Sequence, residues 1–200
     1  MKLNSFRHFR FISDSKPFAQ KQDRIVFRNL VFADQPQRTS FLELFSSHPM
    51  ADAGMVNANS NAGHPEWLRP YMSIDQQLEF KFIACIEGND VATNLKWVMS
   101  SNSIAVMPKP CFETWFMEGT LRGDYHYIEV APDYHDLEEK LLFYIQHPQA
   151  AEDIIRHAHE YVRTFINPRL ERAAQLLTAY RYFEQTGQQS LLPSLFTTEA

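Results

Sequence analysis

Residues 80–107 read Phe80-Lys-Phe-Ile-Ala-Cys-Ile86, Glu87-Gly-Asn-Asp90, Val91-Ala-Thr-Asn-Leu-Lys-Trp-Val-Met-Ser100 and Ser101-Asn-Ser-Ile-Ala-Val-Met107. The first run is short, apolar and partly aromatic or β-branched, the composition of a strand buried on both faces. Gly88-Asn89-Asp90 is turn chemistry, and an Asn or Asp there caps a following helix. Val91, Leu95, Val98 and Met99 then fall at i, i+4, i+7 and i+8, which predicts a helix with one apolar stripe against a sheet. The last run is a second strand, closed by Pro108 and Pro110. Strand, loop, helix, strand is a βαβ unit, whose ligand crevice opens at the carboxyl ends of its strands. Residues 87–96 are expected to line that crevice and carry the function.

Upstream, Ile25-Val26-Phe27 and Leu30-Val31-Phe32 bracket Arg28-Asn29 as a short strand and turn. Arg38-Thr39-Ser40 opens an amphipathic helix through Phe41, Leu42, Leu44 and Phe45. Residues 53–65 are loop by composition. Ser73 is the expected N-cap of a helix over residues 74–80. Downstream, Phe112, Trp115, Phe116 and Met117 are helix-spaced around Glu113, and residues 125–130 alternate as a strand. Three helices follow. Asp136 caps the first, with Leu137, Leu141, Tyr144 and Ile145 inside. Pro148 sits in the first turn of the second, with Ala151, Ile154, Ile155, Ala158, Val162 and Phe165 inside. Pro168 starts the third, carrying Leu170, Ala173, Ala174, Leu177 and Tyr180. This gives an N-terminal extension or remnant of a preceding lobe over residues 1–22, a domain over 23–186 and a flexible tail over 187–200.

A chain of 200 residues suffices for one well-buried domain. Its net charge of -5 argues against a nucleic-acid binder, which needs a basic stripe to track phosphates. Two cysteines, Cys85 and Cys111, form no metal spacing or disulfide framework, and Cys85 reads as a core residue. No apolar run approaches the roughly 20 residues that span a bilayer, and the start is no signal peptide. A cytoplasmic location is the expectation.

Nucleotide-binding signatures G-x-G-x-x-G and G-x-x-x-x-G-K-[ST] are absent. His157 and His159, two apart, do not share a helix face, so no metal site is expected. Asp133, His135 and Asp136 are explained as a solvated helix start. The crevice set is what remains. Glu87, Asn89 and Asp90 supply acceptors and an amide at a strand end. Thr93 and Asn94 fall in the expected first helical turn, where free N–H groups and the dipole favour an anion. Lys96 adds a point charge, and Arg28 and Arg38 are candidates for bidentate phosphate contacts. The competing reading makes Asn89-Asp90 a cap and the two arginines surface charges.

The central run, with Ser100-Ser101-Asn102-Ser103, resembles the CAP10-like glycosyltransferases of family 90, which include Rumi protein O-glucosyltransferases and bacterial lipopolysaccharide A proteins. Val26-Phe27-Arg28-Asn29 with Arg38, Lys109-Pro-Cys-Phe-Glu113-Thr-Trp-Phe116, Tyr125-His126-Tyr127 and Asp136-Leu137-Glu138 follow in that family's order. The likeness spans roughly residues 8–165 and is strongest to the lipopolysaccharide branch. It implies an α/β, Rossmann-like lobe of a GT-B enzyme: a parallel sheet flanked by helices, with C-terminal helices.

The implied activity is inverting transfer of a sugar from a nucleotide donor, typically a UDP-sugar, to a lipopolysaccharide or other surface-glycan acceptor. Neither cofactor nor metal is implied, since cationic groups stabilise the leaving diphosphate. The setting implied is the inner membrane face, with peripheral membrane contact. By position, Arg28 and Arg38 would contact diphosphate or ribose. The stretch Glu87-Gly88-Asn89-Asp90-Val91-Ala92-Thr93-Asn94-Leu95-Lys96 would cradle the nucleotide, and Glu113 would hold ribose or sugar hydroxyls. Two departures stand out. Rumi-type members carry Arg where this chain has Asn94, and the family's aspartate general base lies upstream of the matching part. The catalytic residue is therefore unassigned. The alternatives are a catalytically silent lobe that binds a nucleotide-sugar or packs on a partner, and a different nucleotide-sugar transformer.

Overall fold

The computed structural model describes residues 10–188. Five strands form one sheet: β1 (Gln22–Asn29), β2 (Ala51–Met55), β3 (Phe80–Ala84), β4 (Ile104–Met107) and β5 (Ile128–Glu129). Their order is β2-β1-β3-β4-β5, and every pairing is parallel. The chain steps from β1 to the β2 edge, then crosses back to β3 and proceeds outward. That reversal places a switch point between the carboxyl ends of β1 and β3, where α/β sheets open a crevice.

The sheet forms there because its runs are apolar on both faces. Every residue of β3 and β4 is buried. Ile25, Phe27, Phe82, Ala84, Ile104 and Val106 face one core, shared with α1 (Pro36–Phe45) and α4 (Leu137–Gln146). Val26, Ile83, Cys85, Ala105 and Met107 face the other. Helix α5 (Pro148–Ile166) serves both: Ala151, Ile154 and Ile155 join the first core, and Ala158, Val162 and Phe165 the second. All six expected inward positions are buried. A single parallel sheet flanked by helices is the α/β fold class that the resemblance implied.

Several elements differ from expectation. Residues 53–55 belong to β2, not to a loop. This edge strand is built from small residues and carries no β-branched or aromatic signal. Gly54 is required there by contact, since a Cβ would lie 2.2 Å from Arg69 Cγ. Arg28 and Asn29 end β1 rather than turn. Ser73 caps α2 through a full capping box with Gln76, but α2 stops at Ile74–Gln77 and Phe80 opens β3. The expected helix from Val91 shrinks to α3 (Leu95–Val98). Asp90 accepts from the Val91 N–H (2.7 Å) and the Asn94 amide donates to Ala84 O (3.0 Å), so residues 91–94 follow the sheet as a loop. Thr93 and Asn94 are therefore not a helical first turn. The stripe Val91, Leu95, Val98 and Met99 is nevertheless buried.

Residues 112–117 are not helical either, and Met117 is left-handed at φ 57°. The strand expected over 125–130 is Ile128–Glu129 alone. Asp136 occupies the N-cap position of α4 without capping it; its carboxylate accepts from Ala131 N instead (2.8 Å). Helix α6 (Pro168–Gln185) buries no residue, and Leu170 and Leu177 are over half exposed. Most of the expected tail, residues 189–200, lies outside the described residues, as do residues 1–9. Residues 10–21 pack on the sheet's amino-terminal end. Asp14 accepts from Lys21 Nζ (2.8 Å) and from Asn102 N (2.9 Å).

Candidate functional site

Beyond the carboxyl ends of β3, β4 and β5 lies a cavity of about 800 Å3, in the range of small-molecule sites. Its construction follows from local chemistry. Pro108 and Pro110 end β4 and turn the chain across the opening. Glu87, just past β3, accepts from the backbone N–H groups of Cys111 (3.2 Å) and Phe112 (3.1 Å), which ties that turn down. Tyr134, left-handed at φ 60°, donates to Gln37 O (2.8 Å) and joins α1 to the segment after β5. Burial raises the Tyr134 pKa, so the phenol stays a donor. Lys140 reaches in from α4.

Of the sequence-predicted residues, Glu87 alone is in the cavity wall. Gly88 adjoins it, its carbonyl accepting from the Gln37 amide (2.7 Å). Asn89 is exposed and donates to Asp34 (3.1 Å), Asp90 and Thr93 are exposed, and Val91 and Ala92 are buried. Arg38 lies under this loop. Its guanidinium donates to Ile86 O (3.1 Å), Glu87 O (3.2 Å) and Leu30 O (2.7 Å), bridging the ends of β1 and β3 across the switch point. A Cβ on Gly88 would meet it at 3.0 Å. Arg38 thus holds the loop by its carbonyls.

The other candidates are elsewhere. Arg28 pairs with Asp52 and donates to Asp52 O (2.7 Å), Phe27 O (3.0 Å) and Pro70 O (3.3 Å), with its side chain 6% exposed. Lys96 is buried against Glu118 (3.1 Å), with the Trp115 and Phe116 rings 5.4 and 5.3 Å away. Glu113 is exposed, beside Gly119. None of the three touches the cavity.

Residues with no role assigned from the sequence form much of the wall: Lys109, Asp124, Glu129 and Lys140. Lys109 is exposed and carries no ion pair among the described residues. A Pro-Lys-Pro run at the end of a parallel strand was a usable signal, because a strand's end fixes where the next side chain stands. Lys140 donates to Asp124 Oδ2 (2.9 Å) and to Glu129 O. Asp124 also accepts from Glu129 N (3.3 Å). Nothing local announces that network, since its members come from three segments. Among the described residues, no three His, Cys, Asp or Glu side chains gather as a metal site, and no helix is long and apolar enough to cross a membrane.

A family model described as glycosyl transferase family 90 matches residues 7–183. A protein from Dichelobacter nodosus, named O-glucosyltransferase LpsA, is 44% identical over 183 residues, which are 92% of this chain and 56% of that protein. The chain therefore spans little more than half the length of that relative. Among solved structures, the C-terminal domain of a glycosyl transferase group 1 family protein (LpcC) from Francisella tularensis is similar at 12% identity and a TM-score of 0.46. That match covers 81% of this chain and 97% of the other.

Proposed function

The chain belongs to glycosyl transferase family 90, and from that premise we propose that it is the donor-binding half of a CAP10-like inverting glycosyltransferase. The donor is a UDP-sugar and the acceptor a lipopolysaccharide or other surface glycan, reached at the cytoplasmic face of the inner membrane. The observation that carries the reading is the cavity at the carboxyl ends of β3, β4 and β5, with Glu87 and Lys109 in its wall. The relative's name, O-glucosyltransferase, supports glucose as the sugar.

In this reading Lys109 meets the diphosphate, because it is the lining cation that no carboxylate among the described residues neutralises. The diphosphate gains negative charge as the sugar departs, and a fixed ammonium stabilises that change. Glu87 fixes the 111–112 turn that frames the donor. Arg38 is a positioning residue: it holds the carbonyls of residues 86 and 87, leaving the Gly88 loop set beside Gln37. Arg28 and Lys96 are engaged within the fold, and Glu113 stands outside the cavity. The donor is a substrate, and no cofactor enters. The carboxylates in the wall position or bind, and none is assigned as general base.

Thermal unfolding with UDP, UDP-glucose, UDP-galactose, GDP and CMP tests this reading. A ligand at about 100 times its dissociation constant adds roughly 2.7 kcal/mol, which for this size raises the midpoint by roughly 5–10 °C. A selective rise with uridine ligands is expected. A cooperatively folding sample that shifts with none of them supports the silent lobe instead.

A further inference from the structure

Tyr134 joins segments that lie far apart in the sequence. Its side chain is buried, with the residue 2% exposed, and its ring packs edge-on to Phe41 of α1 at 5.3 Å. Its backbone is left-handed at φ 60°, which is rare for a bulky residue. Such a conformation persists only where neighbours enforce it, and it clusters at functional sites. Here the enforcing contacts are explicit. The Tyr134 N–H donates to Ala131 O (2.9 Å), and its carbonyl accepts from Leu137 N (3.1 Å) at the head of α4. The hydroxyl is thereby held across from α1, where it donates to Gln37 O.

From that anchored turn of α1, two side chains reach the loop after β3. The Gln37 amide donates to Gly88 O, and the Arg38 guanidinium donates to Ile86 O and Glu87 O. Glu87 in turn accepts from Cys111 N and Phe112 N after β4. A belt of single hydrogen bonds and single residues thus runs from the segment after β5, through α1 and the β3 loop, to the β4 turn. Gln37, Glu87, Cys111 and Tyr134 all belong to the cavity wall. At 2% exposure, Tyr134 itself offers a ligand almost no surface. Its effect on a ligand has to pass through the belt.

We infer that Tyr134 is a positioning residue for the donor. Its hydroxyl fixes the first turn of α1, and through Gln37 and Arg38 it sets Glu87 and the turn at residues 111–112. This rests on the donor reading given above. Donor affinity then depends on a hydroxyl that holds no part of the donor.

Amide hydrogen exchange at Cys111 and Phe112, followed by NMR without ligand, reads the belt directly, and calorimetric titration of UDP reads its consequence. The variants are Tyr134→Phe, which keeps the ring, Gln37→Ala, and the two combined. Tyr161→Phe, which removes a hydroxyl bonded to Met117 O (2.9 Å) outside the belt, controls for lost stability alone. Tyr134→Phe and Gln37→Ala are each expected to speed exchange at both amides and to weaken UDP by about fivefold, the worth of one hydrogen bond. The combined variant should lose less than the product of the two factors, because the residues act in series. Tyr161→Phe should match the parent in both measurements. A combined loss equal to that product overturns the inference. So does an equal effect from Tyr161→Phe, unchanged exchange in Tyr134→Phe, or faster exchange with unchanged UDP affinity. A folded parent chain that binds no UDP overturns the donor reading, and the role toward the donor with it, whatever the exchange shows.

Discussion

Lys96 and Lys109 look interchangeable in the sequence and are opposites in the structure. Lys96 is buried between Glu118 and two aromatic rings, while Lys109, in the cavity wall, has no ion pair among the described residues. Replacing Lys109 by alanine is expected to weaken UDP-sugar binding by about 1.5–3 kcal/mol, the worth of a charge-assisted contact, with little change in unfolding midpoint. Calorimetric titration and thermal unfolding of the same variant check both halves. His126 supplies a pH test. Burial, then the nearby charges of His157 and Arg122, hold its pKa below the usual imidazole range. The unfolded chain therefore takes up a proton at higher pH than the folded one. That cost is absent above the unfolded value of about 6.5 and grows as pH falls below it. Between pH 7.5 and 5.5 the parent should lose more stability than His126→Gln, as read by denaturant unfolding at each pH. An equal loss in both removes His126 as a cause.

The elements whose sequences are continuous and apolar were legible. Strands β1, β3 and β4 and helices α4 and α5 appear where Ile25-Val26-Phe27, residues 80–86, residues 104–107 and the 3.6-spaced stripes put them, because burial on both faces leaves a dense hydrophobic signal. β2 was not legible, since Ala51-Asp52-Ala53-Gly54 is shaped by a close approach to Arg69 rather than by propensity. The segment over 112–118 misled for a related reason. Its aromatic spacing fits a helix, yet bonds within it to Glu118 and long-range bonds from Lys96 and Tyr161 fix it in another form. Glu118 accepts from Thr114 N (2.7 Å), Thr114 Oγ1 (2.8 Å) and Lys96 Nζ (3.1 Å), while the Tyr161 hydroxyl donates to Phe116 O and Met117 O (2.9 Å). Glu118→Gln would leave the Lys96 charge buried without its counter-ion. The expected cost is about 3–5 kcal/mol, read by chemical denaturation; a loss under about 1 kcal/mol, the range of exposed pairs, would show that this pair does not pin the segment.

For the whole molecule, topology made the cavity's location legible and left its lining obscure. A βαβ unit read from residues 80–107 places a crevice at the carboxyl ends of the strands, and the cavity lies there. Which side chains reach it depends on loops after β4 and β5 and on α4, and of the predicted set Glu87 alone does so. The cations Arg28, Arg38 and Lys96 lie outside the cavity wall, and sequence spacing does not reveal that backbone carbonyls or Glu118 engage them. A nucleotide-sugar that fills this cavity as proposed would cover Cys111, whose reactivity tests its occupancy in place. Cys111 is exposed in the cavity wall, whereas Cys85 is buried with a raised pKa and stays protected while the chain is folded. The rate of Cys111 alkylation by iodoacetamide, followed by mass spectrometry, should fall progressively as UDP-glucose is raised to saturation. A rate that does not change across that titration would contradict the account.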